Sequence, residues 1–238
     1  MIKAPSQDYQ IDIKALLERG NVATKKNLPV ILRSLFFVIF IVLLSFVAFF
    51  NVYNIETIAQ LEALQTETYF LNMFLTVLLA PLWAGIAMMA VNTERKKDIS
   101  FSQLFNFTYL ILGLATAELC ISLLTQVGMS LFIVPAIYIY ITTSFTKFLI
   151  ADKRMSPFVA IKVSIQMANQ HLFKLSMLFL IFFALALLGM ITFGLAFIWI
   201  TPLYYNVTAI LYNDLFNSQV EDQNVEHLTN TEESHFDA

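Results

Sequence analysis

Six stretches of this chain are apolar for long enough to cross a lipid bilayer, and nothing else in the sequence restricts the fold as much. A hydrocarbon core about 30 Å thick takes about 20 apolar residues wound as a helix, because each backbone amide must find its partner inside the segment. Residues 28–50, 69–91, 104–124, 130–150, 172–193 and 195–212 meet that requirement. The run 35–50 contains a single polar side chain, Ser45, so it has no polar face of the kind a water-soluble helix needs. Charged residues make up 13% of the chain, against about 25% in soluble domains, and lipid accounts for the difference. The sequence therefore predicts an all-α integral membrane protein with six transmembrane helices. Gly194 alone separates the last two runs, and Thr125, Gln126 and Gly128 join the third to the fourth. Turns this short predict three hairpins.

Orientation follows from where Lys and Arg sit in the short connections. Lys3, Lys14, Arg19, Lys25, Lys26 and Arg33 lie before or at the start of the first run, and Arg95, Lys96 and Lys97 follow the second. Lys147, Lys153, Arg154, Lys162 and Lys174 cluster between the fourth and fifth runs, which completes the chain's 14 basic residues. The first outer connection instead carries Glu56, Glu62 and Glu67. Both termini are expected in the cytoplasm. Residues 1–27 then form a cytoplasmic segment, 28–212 the membrane domain, and 213–238 a tail with Asp214, Glu221, Asp222, Glu226, Glu232, Glu233 and Asp237 and no basic residue. Its polar, acidic composition predicts a disordered segment. The first apolar run starts at Leu28 and is longer than a signal-peptide core, so no cleaved signal is expected.

Two further helices are predicted along the cytoplasmic interface. From Ser156 and Pro157, a natural cap and first helical residue, apolar residues fall at Phe158, Ile161, Ile165, Ala168 and Leu172. Lys162, Gln166 and Asn169 occupy the opposite face. Tyr9, Ile13, Leu16 and Leu17 form a shorter version that Gly20 is expected to stop.

The second and sixth runs share a pattern: Pro81-Leu82-Trp83 with Ile86, Met89 and Asn92, and Pro202-Leu203-Tyr204 with Val207, Ile210 and Asn213. Pro135-Ala136-Ile137-Tyr138 is related. The reading is an internal repeat of three units, each closing with a span kinked by a proline in its outer half.

Residues 134–175 combine a proline-bearing span that ends in Asp152-Lys153, a helix centred on Lys162-Val163-Ser164, and Asn169 shortly before the next span. This resembles the bacterial YciC-like proteins and their relatives in the glycerophosphodiester phosphodiesterase membrane-domain group. Ala136 stands where that family usually has Gly. The resemblance implies a six-span inner-membrane protein without an assigned activity. In the phosphodiesterase relatives catalysis belongs to a separate soluble domain, and no segment of this chain corresponds to one.

Reactive constellations are missing from the sequence. Cys120 is the single cysteine, and His171, His227 and His235 match no zinc spacing. No enzyme, metal site or cofactor is predicted. Glu118 is the one carboxylate inside an apolar run, with Ser122 and Thr125 following on its face. Intramembrane ionisable residues are functional candidates by default, so Glu118 is the candidate proton or cation site; its other use is as a neutral carboxyl hydrogen-bonded to Ser122 or to a hydroxyl on the next helix. Asn72, Thr76, Thr142, Thr143, Ser144, Thr146, Asn206 and Thr208 are expected to join helices by hydrogen bonds. Pro81, Pro135, Pro202 and Gly194 are read as structural. The function expected is a structural or assembly factor of the cell envelope acting on lipids or other membrane proteins. The alternative is a small-molecule or ion transporter or channel using Glu118. Membrane lipids are the expected partners, then other membrane proteins or a homo-oligomer, and no nucleic acid.

Overall fold

The computed structural model describes residues 11–216, and within them every regular element is a helix. In chain order these are α1 (Ile13–Val52), α2 (Ile58–Ala63), α3 (Gln65–Glu94), α4 (Ile111–Leu131), α5 (Ile133–Thr142), α6 (Thr146–Lys153), α7 (Pro157–Gln170), α8 (Leu172–Ile191) and α9 (Phe197–Phe216). Two tight 3-10 turns, Phe101–Phe105 and Thr108–Leu110, lead into α4. Five segments are long and apolar enough to cross a membrane: α1, α3, Phe101–Leu131, Ile133–Lys153 and α8.

The sixth expected crossing corresponds to α9, which is long enough but too polar to be counted with those five. It is instead deeply packed, set against α1 and α3 and buried at every residue from Tyr205 to Tyr212. Its polar side chains find partners on α1, α3 and α6. A helix surrounded by protein does not have to be apolar all round.

Helix α1 corrects the expectation of a separate amino-terminal helix. Asp12 caps it, accepting from the Lys14 and Ala15 amides at 2.9 and 3.2 Å, and it then runs unbroken through Gly20 and Pro29 for 40 residues. At 1.5 Å per residue that is about 60 Å, twice the hydrocarbon thickness. Gly20 does not stop the helix. A Cβ there would collide with the Val207 side chain, so the missing side chain lets α1 and α9 approach closely.

Gly128 has the same use. Within the third segment the α-helix itself begins at Ile111, after the two 3-10 turns, and continues through Gly128 to Leu131, with Phe132 as the break. A Cβ on Gly128 would meet the Ala136 amide nitrogen at 3.0 Å, so this glycine packs α4 on α5. Pro135 sits in the first turn of α5, where its missing N–H needs no helical partner, and it produces no mid-helix kink. Pro81 and Pro202 do lie inside α3 and α9. Gly194 takes a positive φ of 89° between α8 and α9, a conformation that glycine adopts without strain.

The fourth segment is interrupted between Thr142 and Thr146. Ser164 of α7 fills the interruption: its hydroxyl donates to the Thr142 carbonyl at 2.7 Å and accepts from the Phe145 amide at 3.2 Å. Helix α7 begins at Pro157 as expected, but its buried face is Ala160, Ile161, Ser164, Met167 and Ala168, with Phe158 exposed. Rotation of the helix brings a hydroxyl inward because the interrupted backbone needs one.

Residues 213–216, expected at the start of the tail, continue α9. Leu215 and Phe216 are buried, and Lys153 Nζ donates to the Phe216 carbonyl at 2.8 Å. The rest of the expected tail, 217–238, lies outside the described residues, as does Tyr9.

Candidate functional site

A cavity of about 290 Å³ opens between α5, α8 and α9. Its walls follow from the helix faces that meet there. Leu175, Leu178 and Phe182 recur on one side of α8 at helical spacing, and they face Ile200, Tyr204 and Thr208 of α9. Phe182 stands edge-on to Tyr204 with centroids 5.2 Å apart, and Phe179 edge-on to Tyr140 at 5.8 Å. The Tyr140 and Tyr204 hydroxyls meet at 3.3 Å across the cavity wall. Of the other hydroxyls on the walls, Ser144 and Thr208 are spent on the carbonyls of Ile141 and Tyr204 at 2.9 and 2.8 Å, while Thr201 makes no hydrogen bond among the described residues. Apart from Thr201, the surface left over is aromatic and aliphatic.

The basic end of the bundle is built differently. Arg95 makes a bidentate pair with Asp152, both bonds at 2.7 Å, and its Nε donates to Asn213 at 3.1 Å. Tyr212 donates to Asp152 at 2.9 Å. The hydrogen bonds that Arg95 donates to Asp152 outweigh burial and raise the Arg95 pKa above its ordinary value, so this guanidinium is a fixed cation. Arg19 bridges Glu94 at 2.7 Å and Asp214 at 2.8 Å. One layer inward, Asn27 and Asn206 pair reciprocally at 2.7 and 3.1 Å. Thr93 accepts from Asn27 and Thr24 from Asn206, each at 3.0 Å. These four side chains are buried, and they join α1, α3 and α9.

Glu118 is half-buried on α4 and does not line the cavity. Among the described residues it makes no hydrogen bond or ion pair, and Ser122, its expected partner, accepts from Gln126 at 3.2 Å instead. Most span hydroxyls behave like Ser144: Thr76, Thr142 and Thr143 each bond a carbonyl of their own helix, a route open to any helical Ser or Thr. Asn206 is the exception that joins helices. Among the described residues no cluster of His, Cys, Asp and Glu could hold a metal.

Sequence reasoning did not single out Asn27, the Arg95–Asp152 pair or the aromatic cavity. An Asn and an Arg–Asp combination at the ends of apolar runs were signals that could have found the first two. The cavity has no such signal, since its residues look like any apolar span. Comparison with family models, curated proteins and solved structures finds no match to this chain.

Proposed function

We propose that this chain is a non-catalytic multi-pass protein of the inner membrane that serves as a structural or assembly factor of the envelope and works by engaging lipid. The observation that carries the proposal is the cavity between α5, α8 and α9, lined mostly by rings and aliphatic groups, with Ser144 and Thr208 turned to backbone carbonyls and Tyr140 and Tyr204 to each other. A mainly apolar hollow among these helices suits a hydrocarbon chain and offers an ion no charged group. In this reading α9 is the sixth crossing and both termini face the cytoplasm, supported by the confinement of all 14 basic residues to one side. The likeness of residues 134–175 to YciC-like proteins supports the same placement.

The transport alternative keeps one observation in its favour, the half-buried and unpartnered Glu118. One preparation tests both. Full-length protein purified in a maltoside detergent should retain phospholipid near stoichiometrically. Reconstituted into liposomes, it should conduct no proton or cation current that Glu118→Gln removes. Protein that holds no phospholipid and takes none up would overturn the lipid reading, and a Glu118-dependent current would replace it with transport.

A further inference from the structure

The cavity has a direction. Leu175, Leu178 and Thr208 line it toward the basic end, and Ala186, Phe197 and Thr201 line it toward the Gly194 turn. At about 290 Å³ the cavity is at the small end of ligand-sized clefts, with room for part of an acyl chain. Lys174 stands just beyond the lower rim: it is exposed, one residue before Leu175 and one helical turn before Leu178, on the same side of α8.

The charge around this rim is one-sided. From Met155 to Asn213 the chain contains no Asp or Glu, and Lys162 and Lys174 are its only Lys or Arg residues. The nearest acids in sequence are engaged elsewhere, Asp152 with Arg95 and Asp214 with Arg19. Lys174 forms no ion pair among the described residues. A hydrocarbon slot with an unpaired cation at one mouth, at the end of the bundle that holds Arg19, Arg95 and Lys153, complements a lipid whose phosphate bears net negative charge.

We infer that this groove holds one acyl chain of an anionic phospholipid drawn from the leaflet at the basic end, with Lys174 against the phosphate. The inference rests on the lipid-engaging function proposed above and adds the headgroup class, the leaflet and the residue that reads them. The chain lies along Phe179, Phe182 and Phe183 with its methyl end toward Phe197. A zwitterionic lipid fills the same slot but carries its own ammonium group, so Lys174 gains less from it.

The test uses the full chain in mixed micelles containing phosphatidylglycerol or phosphatidylcholine with identical acyl chains, with bound lipid read by native mass spectrometry. Wild type should prefer phosphatidylglycerol by about fivefold, the effect of one basic residue on an anionic lipid. Lys174→Gln should erase the preference while still binding both lipids, and Lys174→Arg should restore it. Ala186→Trp, which fills the slot, should lose both lipids. A phosphatidylglycerol analogue with a diazirine on its acyl chain should label the stretch from Phe179 to Phe183 in the unaltered protein, which keeps the test valid even if Ala186→Trp misfolds. Labelling spread over α1 and α3 instead would overturn the site. Wild-type lipid binding by well-folded Ala186→Trp would overturn both this inference and the reading beneath it. Loss of lipid in Ala186→Trp with the preference intact in Lys174→Gln would leave the groove standing and refute the headgroup assignment alone.

Discussion

At the basic end α9 is buried without interruption from Tyr205 to Tyr212, while α1 beyond Val38 exposes Ile39, Phe40, Leu43, Leu44 and Val47. Both stretches are rich in large apolar residues, so hydrophobicity does not explain the difference. Hydrocarbon solvates Leu and Phe as well as a neighbouring helix does, and apolar faces in a bilayer gain little by pairing. Polar groups gain more, because an unpaired amide or charge has no water to turn to. The basic end is therefore where the chain closes, through Asn27–Asn206, Arg95–Asp152 and Arg19 with Glu94 and Asp214. The far half is left open to lipid, and the groove lies where the two regimes meet.

If that contrast is right, substitutions at the two ends should differ by more than the size of the side chain removed. Asp152→Ala should have the largest effect. It strands the Arg95 guanidinium, whose side chain is 22% exposed, and should cost about 3 kcal/mol in reversible unfolding in mixed micelles. The double change Arg95→Met with Asp152→Leu should cost less than Asp152→Ala, since no charge is left behind; an equal or greater loss would mean that the pair contributes more than its own satisfaction. Ser164→Ala comes next, leaving the Phe145 amide and Thr142 carbonyl without their side-chain partner, at about 1–2 kcal/mol by the same measurement. Unchanged stability would show that the interrupted helix closes its own gap. Leu44→Ala should change stability least, by less than about 0.5 kcal/mol, although it removes more apolar surface than Ser164→Ala does. A loss as large as that of Asp152→Ala would erase the distinction between the two ends.

Hydropathy was sufficient to find α1, α3 and α8, because lipid imposes its demand on every residue of a span at once. The start of α7 was equally readable, since Pro157 fixes the first turn locally, although the Ser156 side chain makes no capping bond. What escaped were features whose cause lies on another helix. Gly20 and Gly128 read as a stop and a turn, yet each is a close approach to a remote segment. Glycine serves both ends, and only the partner distinguishes them. The gap after Thr142 contains neither Gly nor Pro; it persists because Ser164 completes the broken backbone. Glu118 drew attention as a lone carboxylate, but the cavity formed elsewhere, from residues whose types are ordinary for any span. The polarity of α9 suited a buried helix as well as a crossing one, and sequence alone assigned it to the bilayer.

Asn27 and Asn206 are 179 residues apart, and translation imposes an order on such a pair. Domains emerge from the ribosome at about 5–20 residues per second, so α1 waits on the order of ten seconds or more for α9 to be made. Throughout that interval its first amide partner does not exist, and neither does Asp214, one of the two carboxylates that Arg19 holds. The described bundle is closed by α9, like a box whose lid is cut late from the same sheet. A ribosome that stalls after α8 leaves five apolar segments with Arg95–Asp152 in place but without the Asn27–Asn206 and Arg19–Asp214 contacts that tie the first helix to the last one described.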